Sequence, residues 1–263
     1  MQWPTQCARH CRHAQGTCAA EQRVTCHHSG ERAMHTLRPP LMAMGPLLLQ
    51  VTLFFPAVLA ANRCELKGCP EHKPGYINVH LLSHSHNDAG WYWTVDAMYH
   101  TVQMIYTGAT RALWNKPSRR YVSAENVFFS RWWNEQSADM RRKVRSMVQS
   151  GRLQFVGGGW VQNDEAVTHY TAIIDQMTLG LRFLNDTFGP DCGAPSVAWQ
   201  ADPFGHSIAQ AALFARMGFS SAMIGRISWD TKKKLQAERA MEFIWEADSP
   251  EQGKYLIYSI QWH

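Results

Sequence analysis

The sequence predicts an α/β fold built on a parallel sheet of about six to seven strands with helices between them. Two observations support this prediction. From Ile77 onward, short runs rich in Val, Ile and aromatic residues alternate with longer segments of helical period, which is the pattern of βαβ units. The 263-residue chain is also 45% hydrophobic and 18% charged, a composition that suits a large buried core and argues against disorder.

The predicted elements follow this alternation in order. The short apolar runs place strands near 77–83, 120–124, 153–157, 196–201, 221–225 and 242–246. The segments of helical period place helices near 95–115, 127–149, 168–188, 206–217 and 231–240. Gly151 is expected to end the second helix. Gly189 and Pro190 are expected to end the third, for which Thr168 is a suitable N-cap.

The first 61 residues differ in character from the rest. Residues 34–61 combine the basic Arg38, a long apolar run, and small residues at positions 58 and 60, as in a secretory signal peptide. A signal anchor retained in the membrane is the alternative. Two prolines and a glutamine interrupt the run, which barely reaches the roughly 20 residues that a membrane-spanning helix needs. We therefore expect cleavage and no stable membrane span.

Residues 1–33 carry four cysteines among Arg and His, with little apolar periodicity. The spacing of these cysteines matches no regular zinc finger. Because a signal peptide begins at Met34, we interpret residues 1–33 as a disordered product of an upstream start, with translation beginning at Met34.

The remaining chain is close to neutral. Residues 1–61 hold five basic and two acidic side chains, so residues 62–263 hold 21 and 19, a net charge of +2. Without a basic patch interleaved with aromatic residues, no nucleic-acid partner is predicted.

The cysteines and one sequon bear on passage through the secretory route. Cys64, Cys69 and Cys192 follow the signal peptide, and an odd number in an oxidising compartment implies a free thiol or a missing partner. Their pairing stays open. Asn185 begins an Asn-Asp-Thr sequon and is a candidate glycosylation site.

Metal-ligating side chains follow two of the predicted strands. His86 and Asp88 come after the first strand, and Asp202 comes after the strand near 196–201. In parallel α/β folds, ligands gather where the carboxyl ends of strands meet the next loops. A His-x-Asp spacing on an extended segment also puts both side chains on one side, where they could bind zinc. A hydrogen-bonded turn at His86 and a helix cap at Asp202 are the structural alternatives.

Six motifs occur in order along residues 69–247: HSHNDAGW (84–91), FFSRWW (128–133), GGWV (158–161), DEA (164–166), QMTLG (176–180) and DPFGHS (202–207). Together they resemble the class II α-mannosidases of glycoside hydrolase family 38. The resemblance implies an incomplete, distorted β/α barrel of the family's N-terminal catalytic domain. It also implies retaining hydrolysis of terminal α-D-mannose, with a mannose-containing oligosaccharide or N-glycan as the partner.

The resemblance assigns roles to five residues. It implies one zinc ion held by His86, Asp88 and Asp202, with Asp202 also the nucleophile. Trp91 would be a sugar-stacking wall. Arg226 would bind substrate and pair with the carboxylate of Asp202, with an ordinary surface salt bridge as its alternative. The implied location is the secretory pathway, leading to the lysosome, with the Golgi lumen or secretion as alternatives.

The sequence also departs from the family. The family's acid/base aspartate and a further histidine ligand have no counterpart in this chain, and the tail 248–263 loses the family pattern. Cys69 resembles a family half-cystine whose partner lies further along. We therefore expect a truncated form with a partial catalytic domain over 62–247 and a divergent tail.

Two other functions remain open at this stage. One is a catalytically inactive or carbohydrate-binding remnant of the family, which needs no acid/base residue. The other is a metal-dependent amidohydrolase, because His84-x-His86 mimics that family's paired ligands. The later strands lack the further ligands that such a site requires.

Overall fold

The computed structural model describes residues 64, 73–77, 79–249 and 253–261, with side chains up to residue 246. The expected upstream segment 1–33 and signal peptide 34–61 lie outside the described residues. Within the described part of the chain, no helix is both long and apolar enough to cross a membrane.

The described chain contains six α-helices. They are α1 Val95–Asn115, α2 Asn126–Glu135, α3 Ala138–Gln149, α4 Tyr170–Phe188, α5 Ile208–Arg216 and α6 Trp229–Glu238. The helix predicted over 127–149 is in fact two helices, α2 and α3. The break occurs because the Ser137 hydroxyl accepts a hydrogen bond from the Met140 backbone N–H at 3.2 Å and so begins a new helix.

The ends of α4 show one wrong prediction and one confirmed prediction. Thr168 does not cap the helix. His169 does, since its Nδ1 accepts from the Thr171 backbone N–H at 3.3 Å. The helix ends at Gly189, whose φ of 79° lies in the left-handed region that glycine tolerates.

The described strands form two sheets. They are β1 Tyr121–Ser123, β2 Leu153–Phe155, β3 Val197–Gln200, β4 Ser221–Ile224, β5 Glu242–Ser249 and β6 Gly253–Gln261. β1 pairs in parallel with β2, and the second sheet has the order β3-β4-β6-β5. The prediction of an α/β fold is confirmed, but the described residues do not form the predicted single parallel sheet of about six to seven strands. β5 runs antiparallel to β6, because residues 250–252 are too few for the crossover that a parallel pair requires.

The predicted first strand is not present as a strand in the described residues of 77–83. This segment contributes one parallel bridge between His84 and Val122, with the Val122 N–H donating to Ser83 O at 2.9 Å. Its apolar side chains at 77, 79 and 81 are exposed. A strand needs a paired neighbour along its length, and β1 provides one only at its own centre.

Helices α1 to α4 enclose a core in which half of the buried residues are aromatic. Phe129 on α2 is fully buried and lies against rings from α1, α2 and β2, including Tyr106, Trp132 and Phe155. A second cluster joins α4 and α5 to β3 and β4. These two cores fix the strand ends from which the site loops emerge.

A disulfide bond joins Cys64 to Cys192, with 5.4 Å between their Cα atoms. This settles the pairing of two of the three cysteines whose partners the sequence left open. Cys69 lies outside the described residues.

Candidate active site

His86, Asp88 and Asp202 meet in one place. One ligand atom from each lies within 4.8 Å of the others. His86 Nε2 is 3.1 Å from Asp88 Oδ1 and 3.7 Å from Asp202 Oδ2. The first two residues lie in the loop after the His84 bridge, and Asp202 lies just beyond β3. Residues more than a hundred positions apart thus form one cluster of possible metal ligands.

Arg226 lies beside this cluster because β3 and β4 remain in contact beyond their ends. The Gly225 N–H donates to Gln200 O at 3.0 Å, and a Cβ at position 225 would collide with the Ala201 carbonyl. One residue further on, Arg226 Nη2 donates to Asp202 Oδ1. Asp202 therefore turns one carboxylate oxygen toward Arg226 and the other toward His86.

The other ring nitrogen of His86 faces two side chains beneath the cluster. His86 Nδ1 lies 3.2 Å from Gln162 Nε2 and 3.8 Å from Glu125 Oε1. Gln162 Nε2 also donates to Glu125 Oε1. Burial raises the pKa of Glu125, while the hydrogen bond from Gln162 and the nearby His86 oppose that rise. A metal-binding histidine commonly donates its second N–H to a carboxylate. Glu125 lies on that side of His86 but beyond hydrogen-bond distance, and the Gln162 amide nitrogen is closer.

The cluster lies in a cleft that is open to solvent. Its walls include His86, Asp88, Glu125, Gln162, Asp164, Asp202 and Phe204. Phe204 is exposed and supplies the aromatic surface. Trp91, the expected sugar-stacking residue, is also exposed and packs edge-on against Tyr92 at 5.4 Å, outside the residues that line this cleft.

Comparison with known proteins places the chain in a family. Residues 76–261 match the family described as glycosyl hydrolases family 38 N-terminal domain. The chain belongs to this family. The match extends past residue 247, into the segment that the sequence motifs do not cover.

Curated relatives agree with this family 38 assignment. The chain is 49% identical over 216 residues to lysosomal alpha-mannosidase of Mus musculus, covering 78% of this chain and 21% of the relative. It is 46% identical over 225 residues to lysosomal alpha-mannosidase of Homo sapiens, covering 81% and 21%. The chain thus spans about a fifth of the length of the curated relatives it matches.

Solved structures support the fold alone. An alpha-mannosidase from Enterococcus faecalis V583 matches with a TM-score of 0.54 and 18% identity, covering 69% of this chain and 19% of that one. A 4-alpha-glucanotransferase from Thermococcus litoralis matches with a TM-score of 0.52 and 12% identity, covering 68% and 27%.

Two of the alternatives raised by the sequence, a helix cap at Asp202 and an amidohydrolase ligand pair, are not supported by the geometry, whereas the 3.1 Å contact between His86 and Asp88 also suits a hydrogen-bonded turn. Asp202 does not cap α5, because Ser207 does so by accepting from the Ala209 N–H at 3.2 Å. His84 does not join His86 in the metal cluster of the described residues. Its ring packs edge-on against Trp199 at 5.2 Å, and burial lowers its pKa. The paired ligands that an amidohydrolase would need are therefore not formed.

Sequence reasoning assigned no role to Glu125, Gln162 or Phe204. Glu125 had a usable signal, since it follows β1 by two residues, as Asp202 follows β3. No sequence signal marked Gln162, because its position depends on the glycine-rich turn at 157–159. Asn185, the predicted glycosylation site, is exposed in the last turn of α4.

Proposed function

We propose that this chain supplies the metal and nucleophile part of a retaining α-mannosidase site that removes terminal α-D-mannose from N-linked glycans. The observation that carries the proposal is the convergence of His86, Asp88 and Asp202 in one cleft of a family 38 domain. The curated relatives named above are lysosomal alpha-mannosidases.

The three side chains fit a single zinc ion. Zinc binds imidazole nitrogen and carboxylate oxygen at about 2.0–2.2 Å, so two of its ligand atoms lie no more than about 4.4 Å apart. The two separations from His86 Nε2, 3.1 and 3.7 Å, fall inside that limit. The ligand atoms of Asp88 and Asp202 lie within 4.8 Å of each other, so a small closure would complete the set. When bound, zinc would orient sugar hydroxyls and stabilise developing charge.

Asp202 would carry out the nucleophilic step. In a retaining mechanism a carboxylate oxygen bonds to the anomeric carbon while the glycosidic C–O bond breaks and the leaving oxygen takes a proton. Water then cleaves the glycosyl ester and regenerates Asp202. Arg226 fixes the carboxylate plane from one side. We assign the acid/base role to no residue of this chain.

The remaining roles follow the same proposal. Trp91 and Phe204 offer exposed rings on which a sugar can stack. A mannose-containing oligosaccharide is the proposed partner.

The Cys64–Cys192 disulfide and the exposed Asn185 sequon support passage through the secretory route. The proposed destination is the lysosome, with the Golgi lumen or secretion as alternatives.

A covalent trap tests Asp202 directly. A 5-fluoro-mannosyl fluoride needs no proton donor, because fluoride leaves unprotonated as the Asp202 ester forms. We expect the zinc-loaded full chain to gain one fluoromannosyl group on the peptide that contains Asp202, as found by mass spectrometry.

The matched variants are Asp202→Asn, which should gain no label, and Asp139→Asn on the exposed surface of α3, which should be labelled like the unaltered chain. A label on another carboxylate, or no label on a chain that binds zinc, would refute the proposal.

A further inference from the structure

The ring of His206 contacts Glu165 on one side and the backbone carbonyl of Arg226, the residue beside Asp202, on the other. We propose that His206, carrying a proton on both ring nitrogens, is a positioning residue that holds Arg226 in place against Asp202. The role of His206 in catalysis rests on the proposed function. Its protonation and its hydrogen bond to Arg226 do not.

The hydrogen-bond partners of His206 favour a proton on each ring nitrogen. Its Nε2 lies 2.6 Å from the Arg226 backbone carbonyl, which can only accept, so Nε2 carries a proton. Its Nδ1 lies 3.0 Å from Glu165 Oε1. Glu165 Oε2 accepts from the Ser207 N–H at 2.7 Å. An ionised Glu165 can only accept at Oε1 as well, and Nδ1 then carries the second proton.

The surroundings of His206 favour this cation. Only 14% of the His206 side chain and 1% of the Glu165 side chain are exposed. The hydrogen bond that His206 donates to Glu165 raises the pKa of His206, burial opposes the rise, and the Arg226 carbonyl adds to it. The ring faces the carboxylate of Glu165 and the uncharged backbone carbonyl of Arg226, and β5 contributes the uncharged Trp245 edge-on at 6.1 Å. The charged guanidinium of Arg226 points instead to Asp202.

These contacts close a ring of interactions around Asp202. Asp202 and His206 belong to one turn before α5. Arg226 is held at its carbonyl by His206 and donates through its guanidinium to Asp202. Without His206, Arg226 keeps its charge and the neighbouring Gly225–Gln200 hydrogen bond but loses the contact at its own carbonyl. Asp202 would then lose its fixed orientation toward His86, and small displacements of reacting groups are costly.

Nuclear magnetic resonance of the full chain with ¹⁵N-labelled histidine tests the protonation. We expect both His206 ring nitrogens to carry protons at acidic pH, and the ring to titrate above about 6.5, the ordinary value. Glu165→Gln should lower that midpoint. A titration midpoint at or below about pH 6.5 overturns the inference. So does a ring that still has one unprotonated nitrogen at a pH below about 6.5.

The sign of the pH effect on stability follows from the raised pKa. The contribution of His206 is complete below the unfolded-state pKa of about 6.5 and is lost as pH rises through the folded-state value. His206→Phe should therefore destabilise the chain more at pH 6 than at pH 9 in urea unfolding. His100→Phe, at an exposed position of α1, is the control and should show no such difference.

Zinc titration tests whether His206 acts through Arg226. His206→Phe should weaken zinc binding about tenfold, as loss of a ligand's supporting contact does. In an Arg226→Gln background the same change should have less than a twofold effect, because the linking side chain is gone. Equal losses in both backgrounds, or no loss in the first, overturn the positioning role.

The two proposals fail in different ways. An unaltered chain that binds no zinc refutes the proposed function, while the histidine spectra still decide whether His206 is a cation. If His206→Phe does not fold, Glu165→Gln replaces it in both the stability and the zinc measurements.

Discussion

His84 and His86 lie two positions apart, yet their rings have different surroundings. His84 packs against Trp199, whereas His86 faces Asp88 and Asp202. On a continuous strand both rings would point to one side. They differ because regular pairing with β1 stops after the single bridge at His84, where the loop begins.

This difference predicts unequal effects of two substitutions. His86→Gln removes a ligand and should weaken zinc binding at least about tenfold. His84→Phe keeps an aromatic ring against Trp199 and should change zinc affinity less than twofold. Calorimetric titration with a competing chelator measures both. Comparable losses would indicate that the two histidines share an ion, as an amidohydrolase requires.

The candidate ligands could be found from the sequence because chemistry and position coincide at His86, Asp88 and Asp202. Each is a good zinc donor, and each follows an apolar run. The supporting contacts were harder to find. Gln162 and His206 are placed by turns whose shape depends on distant packing, and no short-range pattern encodes the bond from His206 to the Arg226 carbonyl.

Among the elements, α4 shows how closely a helix approaches a site loop. A Cβ at Gly180 would collide with the backbone of Gly158 and Gly159. At Gly108 in α1, a Cβ would have no neighbour within 4 Å. The first glycine is required by packing, and the second is not.

Alanine at these two helix positions should therefore act in opposite directions. Gly180→Ala should destabilise the chain by about 1–3 kcal/mol, because the backbone must move apart. Gly108→Ala should stabilise it by up to about 1 kcal/mol, because alanine favours the helix. Urea unfolding of the two variants checks this. Destabilisation of similar size in both would mean that α4 does not pack closely on the loop.

The elements also show where periodicity succeeds and fails. The helix over 95–115 was predicted with its observed bounds, since its apolar spacing persists for several turns. The helix over 127–149 was not, because a cap at Ser137 outweighs continuous helical period. The apolar run 77–83 has strand composition, but composition cannot supply a pairing partner.

At the scale of the whole molecule, the fold brings distant segments of the chain to one cleft. His86 comes from the loop after the His84 bridge, Glu125 follows β1, and Asp202 follows β3. The loop after β4 places Arg226 beside them. The Cys64–Cys192 disulfide joins points 128 residues apart and ties the chain before this region to the segment between α4 and β3.

The convergence of three ligands on one ion is the central claim, and anomalous diffraction tests it most directly. Crystals of the full chain grown with zinc, measured at the zinc absorption edge, should show one strong peak within bonding distance of His86 Nε2 and the carboxylates of Asp88 and Asp202, about 2.0–2.2 Å away. A peak bound by other residues, or no peak at this cluster in zinc-saturated crystals, would contradict the account.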